Sequence, residues 1–226
     1  SHMFGGQAHP SVTIRAIINR GGEQGAQHSQ ALHSWFAHIP GLRVVMPSTV
    51  ADARDLLIAS VLSDDPVIYI DDRWLYDQTK ILNTISELEL SNEGPACIQQ
   101  GRDLTIVGCG YSTFQANQIQ KILIQQDISV EVIDLRILNP FDPTIIVNSV
   151  KKTGRLLVLD GGWRTCGMAG EVIASVSEKL DPGIFKTAPK RMTLPDAPAP
   201  TSKVLEKDYF LSLKEITQFA KHFVKI

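Results

Sequence analysis

The chain has 226 residues, 43% of them hydrophobic and 20% charged, with a formal net charge of −2. That length holds one large domain or two small ones, and near-neutral charge with no basic block excludes an electrostatic nucleic-acid or membrane surface. No apolar run reaches the length of a membrane span, and no signal-peptide pattern opens the chain. The three cysteines, Cys97, Cys109 and Cys166, are odd in number, far apart and without C-x-x-C spacing. They form neither a zinc site nor a disulfide framework, and a reducing cytoplasm is the expected setting.

The opening Ser1-His2-Met3 reads as the remnant of a cleaved tag. Residues 12–18 are β-branched and apolar, which predicts a buried strand. After a glycine-rich turn, Leu32, Trp35, Phe36 and Ile39 recur at helical spacing until Pro40-Gly41. Residues 42–46 predict a second strand. Ser48 or Thr49 then caps a helix whose apolar stripe is Ala53, Leu56, Leu57 and Val61. Asp64-Asp65-Pro66 breaks that helix, and residues 67–70 predict a third strand. Such alternation at this spacing is an α/β unit with a parallel sheet. Residues 79–98 lose the pattern and are expected to be a linker. A second unit follows: a strand over 103–108 into Gly108-Cys109-Gly110, a helix capped by Ser112 or Thr113, strands over 130–134 and 155–160, and helices over 143–150 and 167–180. A short strand over 190–194, a proline-rich stretch and a helix over 213–224 close the chain.

Chemistry concentrates in Gly21-Gly22-Glu23-Gln24-Gly25-Ala26-Gln27-His28-Ser29-Gln30. Three glycines in five residues allow a sharp turn and a close approach. His28 follows where a helix begins and backbone N–H groups are unpaired. An imidazole there can give or take a proton near neutral pH, although such turns also serve packing alone, and both readings stand on local chemistry. Gly108-Cys109-Gly110 lacks the third glycine of a dinucleotide fingerprint, having Thr113 in its place, and Asp134 is a poor match to the ribose-binding acid. A close-packed turn accounts for it better. Cys109 and Cys166 have no histidine nearby in sequence, Asp64-Asp65 and Asp71-Asp72 read as solvated, and His33 and His38 read as surface or interface residues.

Several stretches together resemble one family. Residues 25–30, 35–42 and 45–49 look like the beta subunit of the thiamine-diphosphate-dependent decarboxylating component of 2-oxo acid dehydrogenase complexes. Relatives include the pyruvate, branched-chain and acetoin dehydrogenases. Residues 64–68, 132–136 and 150–155 continue the match in order and spacing. The resemblance implies an α/β fold: part of a pyrimidine-binding domain with a parallel sheet over 4–78, the linker over 79–98, and a transketolase C-terminal α/β domain over 99–226. It implies that His28 lies at the active site, assisting proton transfer or stabilising a covalent intermediate. It implies thiamine diphosphate and Mg2+ held mostly by an alpha subunit or alpha-like half, with no cofactor-binding residue in this chain. The family's aminopyrimidine-protonating glutamate would lie upstream, and Glu23 does not match it. The chain alone is therefore expected to be inactive. Further implied partners are a second beta subunit and the lipoyl acyltransferase core. An alkali cation, K+, held by the main-chain carbonyls of Ser60, Ser63 and Asp65, is implied by some relatives.

Asp71-Asp72-Arg73-Trp74-Leu75-Tyr76 departs from the glutamate-containing segment of the dehydrogenases. This departure keeps a transketolase-like ketol transferase or synthase of sugar or polysaccharide metabolism as an alternative. A third reading, from another class, is an assembly module whose exposed Trp35, Phe36 and Trp163 make subunit contacts.

Overall fold

Two sheets form the frame of the computed structural model, which describes residues 5–7 and 10–225. The first third of the chain supplies β1 (Thr13–Ile18), the single-turn α1 (Gly25–His28), α2 (His33–Ala37), β2 (Arg43–Val45), α3 (Val50–Val61) and β3 (Val67–Asp72). The remainder supplies β4 (Ala96–Gln99), β5 (Leu104–Gly108), α4 (Tyr111–Leu123), β6 (Val130–Asp134) and β7 (Ile137–Asn139). It continues through α5 (Thr144–Thr153), β8 (Leu156–Trp163), α6 (Met168–Ser177), β9 (Lys190–Leu194), α7 (Lys203–Tyr209) and α8 (Leu213–Lys225).

The first sheet has the order β1-β3-β2-β7, and the second β4-β6-β5-β8-β9. β1, β3 and β2 run parallel, as do β6, β5, β8 and β9. Only β7 against β2 and β4 against β6 are antiparallel. Parallel strands need crossover helices, and these cover the sheets, so β3, β5 and β6 are buried along their whole length. The α/β expectation is met.

Four differences from the sequence reading have physical causes. The 12–18 strand is not buried: β1 is an edge strand, and Ile14 and Ile17 stand 53% and 50% exposed. β4 begins inside the stretch expected as a linker, because Ala96 to Gln99 pair with β6. β7 was not foreseen, since three residues carry no period; it leaves the second unit to pair with β2 of the first. α4 is capped by Gly110, at φ +51°, and not by Ser112 or Thr113. Those two lie inside the helix, and Thr113 spends its hydroxyl on Asp134. α3, by contrast, starts as expected: the Thr49 hydroxyl accepts the Asp52 N–H at 3.1 Å.

One apolar cluster runs unbroken between the sheets. It joins Ile18, Val44, Met46, Ile68 and Ile70 of the first unit to Val107, Ile133, Val158 and, from α6, Val172 of the second. A separate cluster packs α4 and α8 on the far face of the second sheet through Ile119, Leu123, Ile216 and Phe223. Burying that much apolar surface at one boundary makes the two units a single packed body.

Candidate functional site

The carboxyl ends of β1, β2 and β3 meet the carboxyl ends of β5, β6 and β8. The Met46 N–H donates to the Arg136 carbonyl at 2.8 Å, and Gly110 lies against Met46. In open α/β sheets this end gathers the chemistry. Here it gathers a buried polar seam. Arg20, just past β1, donates from Nε to Asp72 at the end of β3, at 2.7 Å, with both side chains out of solvent. Its guanidinium lies over Phe210, 6.0 Å from the ring centroid, and against Gly161, where an added Cβ would sit 1.9 Å from Nη2. Only a glycine at 161 admits it.

His33 is wholly buried, which corrects its reading as a surface residue. Its Nε2 donates to Asp160 at 2.9 Å, 127 residues away. Asp160 also accepts the N–H groups of Gly162 (2.8 Å) and Ala169 (3.0 Å). Burial pushes the Asp160 carboxyl up most strongly. The His33 charge, the His33 hydrogen bond and the two backbone donors outweigh it, so the group sits below its ordinary range. Cys109 completes a group of three whose ligand atoms lie within 4.8 Å of one another. Burial, reinforced by Asp160 and Asp134, pushes its thiol well above the usual value. With Nε2 and both Asp160 oxygens already committed and the thiol held neutral, this is a hydrogen-bonded clasp between the two units.

Asp134, at the end of β6, accepts from the hydroxyls of Ser48 and Thr113. Burial and the nearby Asp52 charge raise its carboxyl to about 7, against the pull of Ser48, Thr113 and the Arg136 N–H. It is thus a structural acid and not a ribose ligand. Asp71 pairs with Arg15 and Asp72 with Arg20. Neither is solvated as the sequence suggested.

His28 stands apart from the seam, on the exposed last residue of α1. Its imidazole makes no hydrogen bond among the described residues, so both nitrogens are free. Its carbonyl accepts the Asn19 N–H at 3.0 Å. The turn before it is held by residues the sequence reading passed over: Glu23 N–H donates to Glu206 at 2.9 Å, and Gly25 sits on Thr201.

At the K+ candidate, the Ser60 carbonyl already accepts the Thr13 hydroxyl at 2.7 Å and the Ser63 N–H at 3.3 Å. The Ser63 and Asp65 carbonyls accept nothing among the described residues, so the set fits a cation in part. Trp35, 70% exposed, borders an open groove of about 860 Å³ shared with Trp163, Cys166 and Glu171. Phe36 and Trp163 are half-buried. No helix among the described residues is long and apolar enough to cross a membrane.

Arg20, Asp134, Asp160 and Glu206 were missed as a set. The faint signals were acids ending β-branched runs and an arginine beside a glycine pair.

Two parallel-dominated sheets joined at their carboxyl ends, with an exposed histidine turn at that end, define an α/β protein of two packed units. The sequence matches the transketolase C-terminal domain over residues 96–216 and the transketolase pyrimidine binding domain over residues 1–78. The chain belongs to the transketolase family. It is similar to the acetoin:2,6-dichlorophenolindophenol oxidoreductase beta subunits of Cupriavidus necator and Bacillus subtilis. The first is 34% identical over 99% of this chain and 66% of the relative, the second 36% identical over 92% and 60%. The pyruvate dehydrogenase E1 component beta subunit of Rhizobium meliloti is 34% identical over 97% of this chain and 48% of its own length. The chain thus spans 66% or less of these relatives. A solved split gene transketolase, an inactive beta4 tetramer, shares the fold with a TM-score of 0.73 at 20% identity, over 95% of this chain and 66% of that one.

Proposed function

We propose that this chain supplies the beta side of a thiamine-diphosphate-dependent 2-oxo acid dehydrogenase, decarboxylating a 2-oxo acid and passing the acyl group to a lipoyl carrier. The observation that carries the reading is His28: free at both nitrogens, exposed, and fixed at the carboxyl end of the first sheet. When bound, the cofactor supplies the nucleophilic carbon and the electron sink. His28, from this chain, would hold or move a proton at an imidazole nitrogen as charge develops on the substrate oxygen. Mg2+ and the diphosphate are held by an alpha subunit or alpha-like half, and this chain alone binds the cofactor weakly and does not turn over. A second beta subunit and the lipoyl acyltransferase core complete the assembly, with Trp35 and its groove on the subunit-contact side. K+ would be held by the main-chain carbonyls of Ser60, Ser63 and Asp65, of which Ser60 also accepts the Thr13 hydroxyl. The three unpaired cysteines fit work in the cytoplasm. The acids of the 71–72 pair, which kept a ketol transferase in view, are spent on Arg15 and Arg20. These ion pairs support a packing role for the segment.

The test is coexpression with an alpha chain and assay of 2-oxo acid decarboxylation with an artificial electron acceptor. His28→Ala should lower kcat by about 100-fold or more while leaving the melting temperature within about 2 °C, because an exposed side chain carries little stability. Ketol transfer between sugar phosphates without 2-oxo acid turnover would overturn the assignment. Micromolar thiamine diphosphate binding by this chain alone, in a calorimetric titration, would overturn the division of the site.

A further inference from the structure

We propose that the second domain, through residues 199–206, sets the geometry of the turn that presents His28, with Glu206 as its positioning residue. The proposal rests on the reading of His28 given above.

The turn is not held by its own residues alone. Gly21, Gly22, Glu23 and Gly25 all have positive φ, between +59° and +70°, and Glu23 is there without the freedom of a glycine. α1 is one turn long and has no side-chain cap. Its internal support is the Asn19 N–H on the His28 carbonyl and the Ser29 N–H on the Gly25 carbonyl. Gln24 Nε2 also donates to the Gly22 carbonyl at 3.3 Å and Gln30 Nε2 to the Ala26 carbonyl at 2.6 Å; the other contacts come from Trp74 and from more than 170 residues further along the chain. The Glu23 N–H donates to Glu206 Oε1 at 2.9 Å. In return, Glu23 Oε1 accepts the Lys203 N–H at 3.3 Å, one of the unpaired donors at the start of α7. Each glutamate thus satisfies a backbone N–H of the other's segment. Gly25 is seated on Thr201: a Cβ there would lie 2.4 Å from Thr201 Cγ2. Gly21 lies against the Trp74 indole, which packs on Phe210 of the same C-terminal segment, ring centroids 5.4 Å apart.

Glu206 is 8% exposed, and its recorded side-chain partner is the turn. α7 therefore does more than close the second domain. It holds a strained turn of the first domain in one conformation and so fixes where the imidazole stands. A shift of an ångström in such a group is enough to cost rate without costing substrate affinity.

The experiment compares Glu206→Ala, which removes the acceptor, with Glu206→Gln, whose amide oxygen can still accept the Glu23 N–H. Hydrogen exchange by mass spectrometry is read over residues 20–30, with α7 and β5 as controls, and kcat and KM are measured after assembly with an alpha chain. In Glu206→Ala, exchange over 20–30 should rise about tenfold, the weight of one hydrogen bond of ordinary strength, with β5 unchanged. The kcat should fall about tenfold and KM should stay within about twofold. Glu206→Gln should restore both. Unchanged exchange over 20–30 in Glu206→Ala, or a Glu206→Gln variant as defective as Glu206→Ala, overturns the proposal. If exchange responds as stated but the wild-type assembly has no 2-oxo acid turnover, the clamp stands and the functional reading falls.

Discussion

Replacing Asp72 by alanine tests the seam most directly. Asp72 is fully buried and Arg20 nearly so, with Nε 2.7 Å from the carboxylate. Removing the acid leaves a guanidinium in the interior whose Nη2 already lacks a partner, and it strips the Trp74 N–H of its 3.2 Å acceptor. Breaking a buried pair from one side costs about 3–5 kcal/mol, because the surviving charge keeps its desolvation penalty. In a chain of this size that is a fall in melting temperature of about 6–20 °C. The double variant Arg20→Met/Asp72→Leu removes both charges and keeps apolar volume beside Phe210, so it should recover most of the loss. Calorimetric melts of the wild type and the single and double variants at one pH give the comparison. A loss under about 2 °C in Asp72→Ala, or a double variant less stable than the single one, would show that Arg20 reaches water or another acceptor, and the buried-pair argument would fail.

Other consequences of the seam can be checked alongside. Asp134 holds its proton more tightly folded, at about 7, than unfolded, so its stabilising effect is complete below about pH 4 and is lost as pH rises through 7. Stability measured by urea melts should fall by a few kcal/mol over that window in the wild type and much less in Asp134→Asn; equal slopes would refute the assignment. Asp160→Ala strands three donors, from His33, Gly162 and Ala169, and should cost at least about 3 kcal/mol in the same melts. A loss near zero would mean water replaces the carboxylate. Gly161→Ala must push the Arg20 guanidinium aside and should cost about 1–3 kcal/mol, an effect that should vanish in an Arg20→Ala background if the clash is with Arg20 alone.

Local signals carried much of the fold. The Thr49 cap, the 3.6-residue stripe of α8, the β-branched runs of β3 and β5 and the apolar run that opens β8 each state their element in adjacent residues. What stayed hidden depends on partners far along the chain. His33 on a short helix looks like a surface residue until Asp160 is brought to it. Ser112 and Thr113 look like caps until Gly110 takes the cap and Asp134 takes the threonine. The glycine turn announced a close approach, but nothing in residues 21–30 says that the approaching backbone belongs to residues 199–206. His28 itself was legible as an imidazole beside a glycine turn, and its side chain stands exposed. The machinery that holds it in place was not legible, because it is built from ordinary surface residue types.

The strand β7 has a mechanical consequence. It leaves the second unit to lie beside β2, so the covalent border near residues 79–95 is not where the body would come apart. A protease cutting there should release nothing: the two pieces stay joined through β7, the apolar layer between the sheets and the His33–Asp160 clasp. For the same reason the two pieces, made as separate polypeptides, should find each other and reassemble. Gene fission at this point would be cheap, and the molecule can be handled as two genes and one fold.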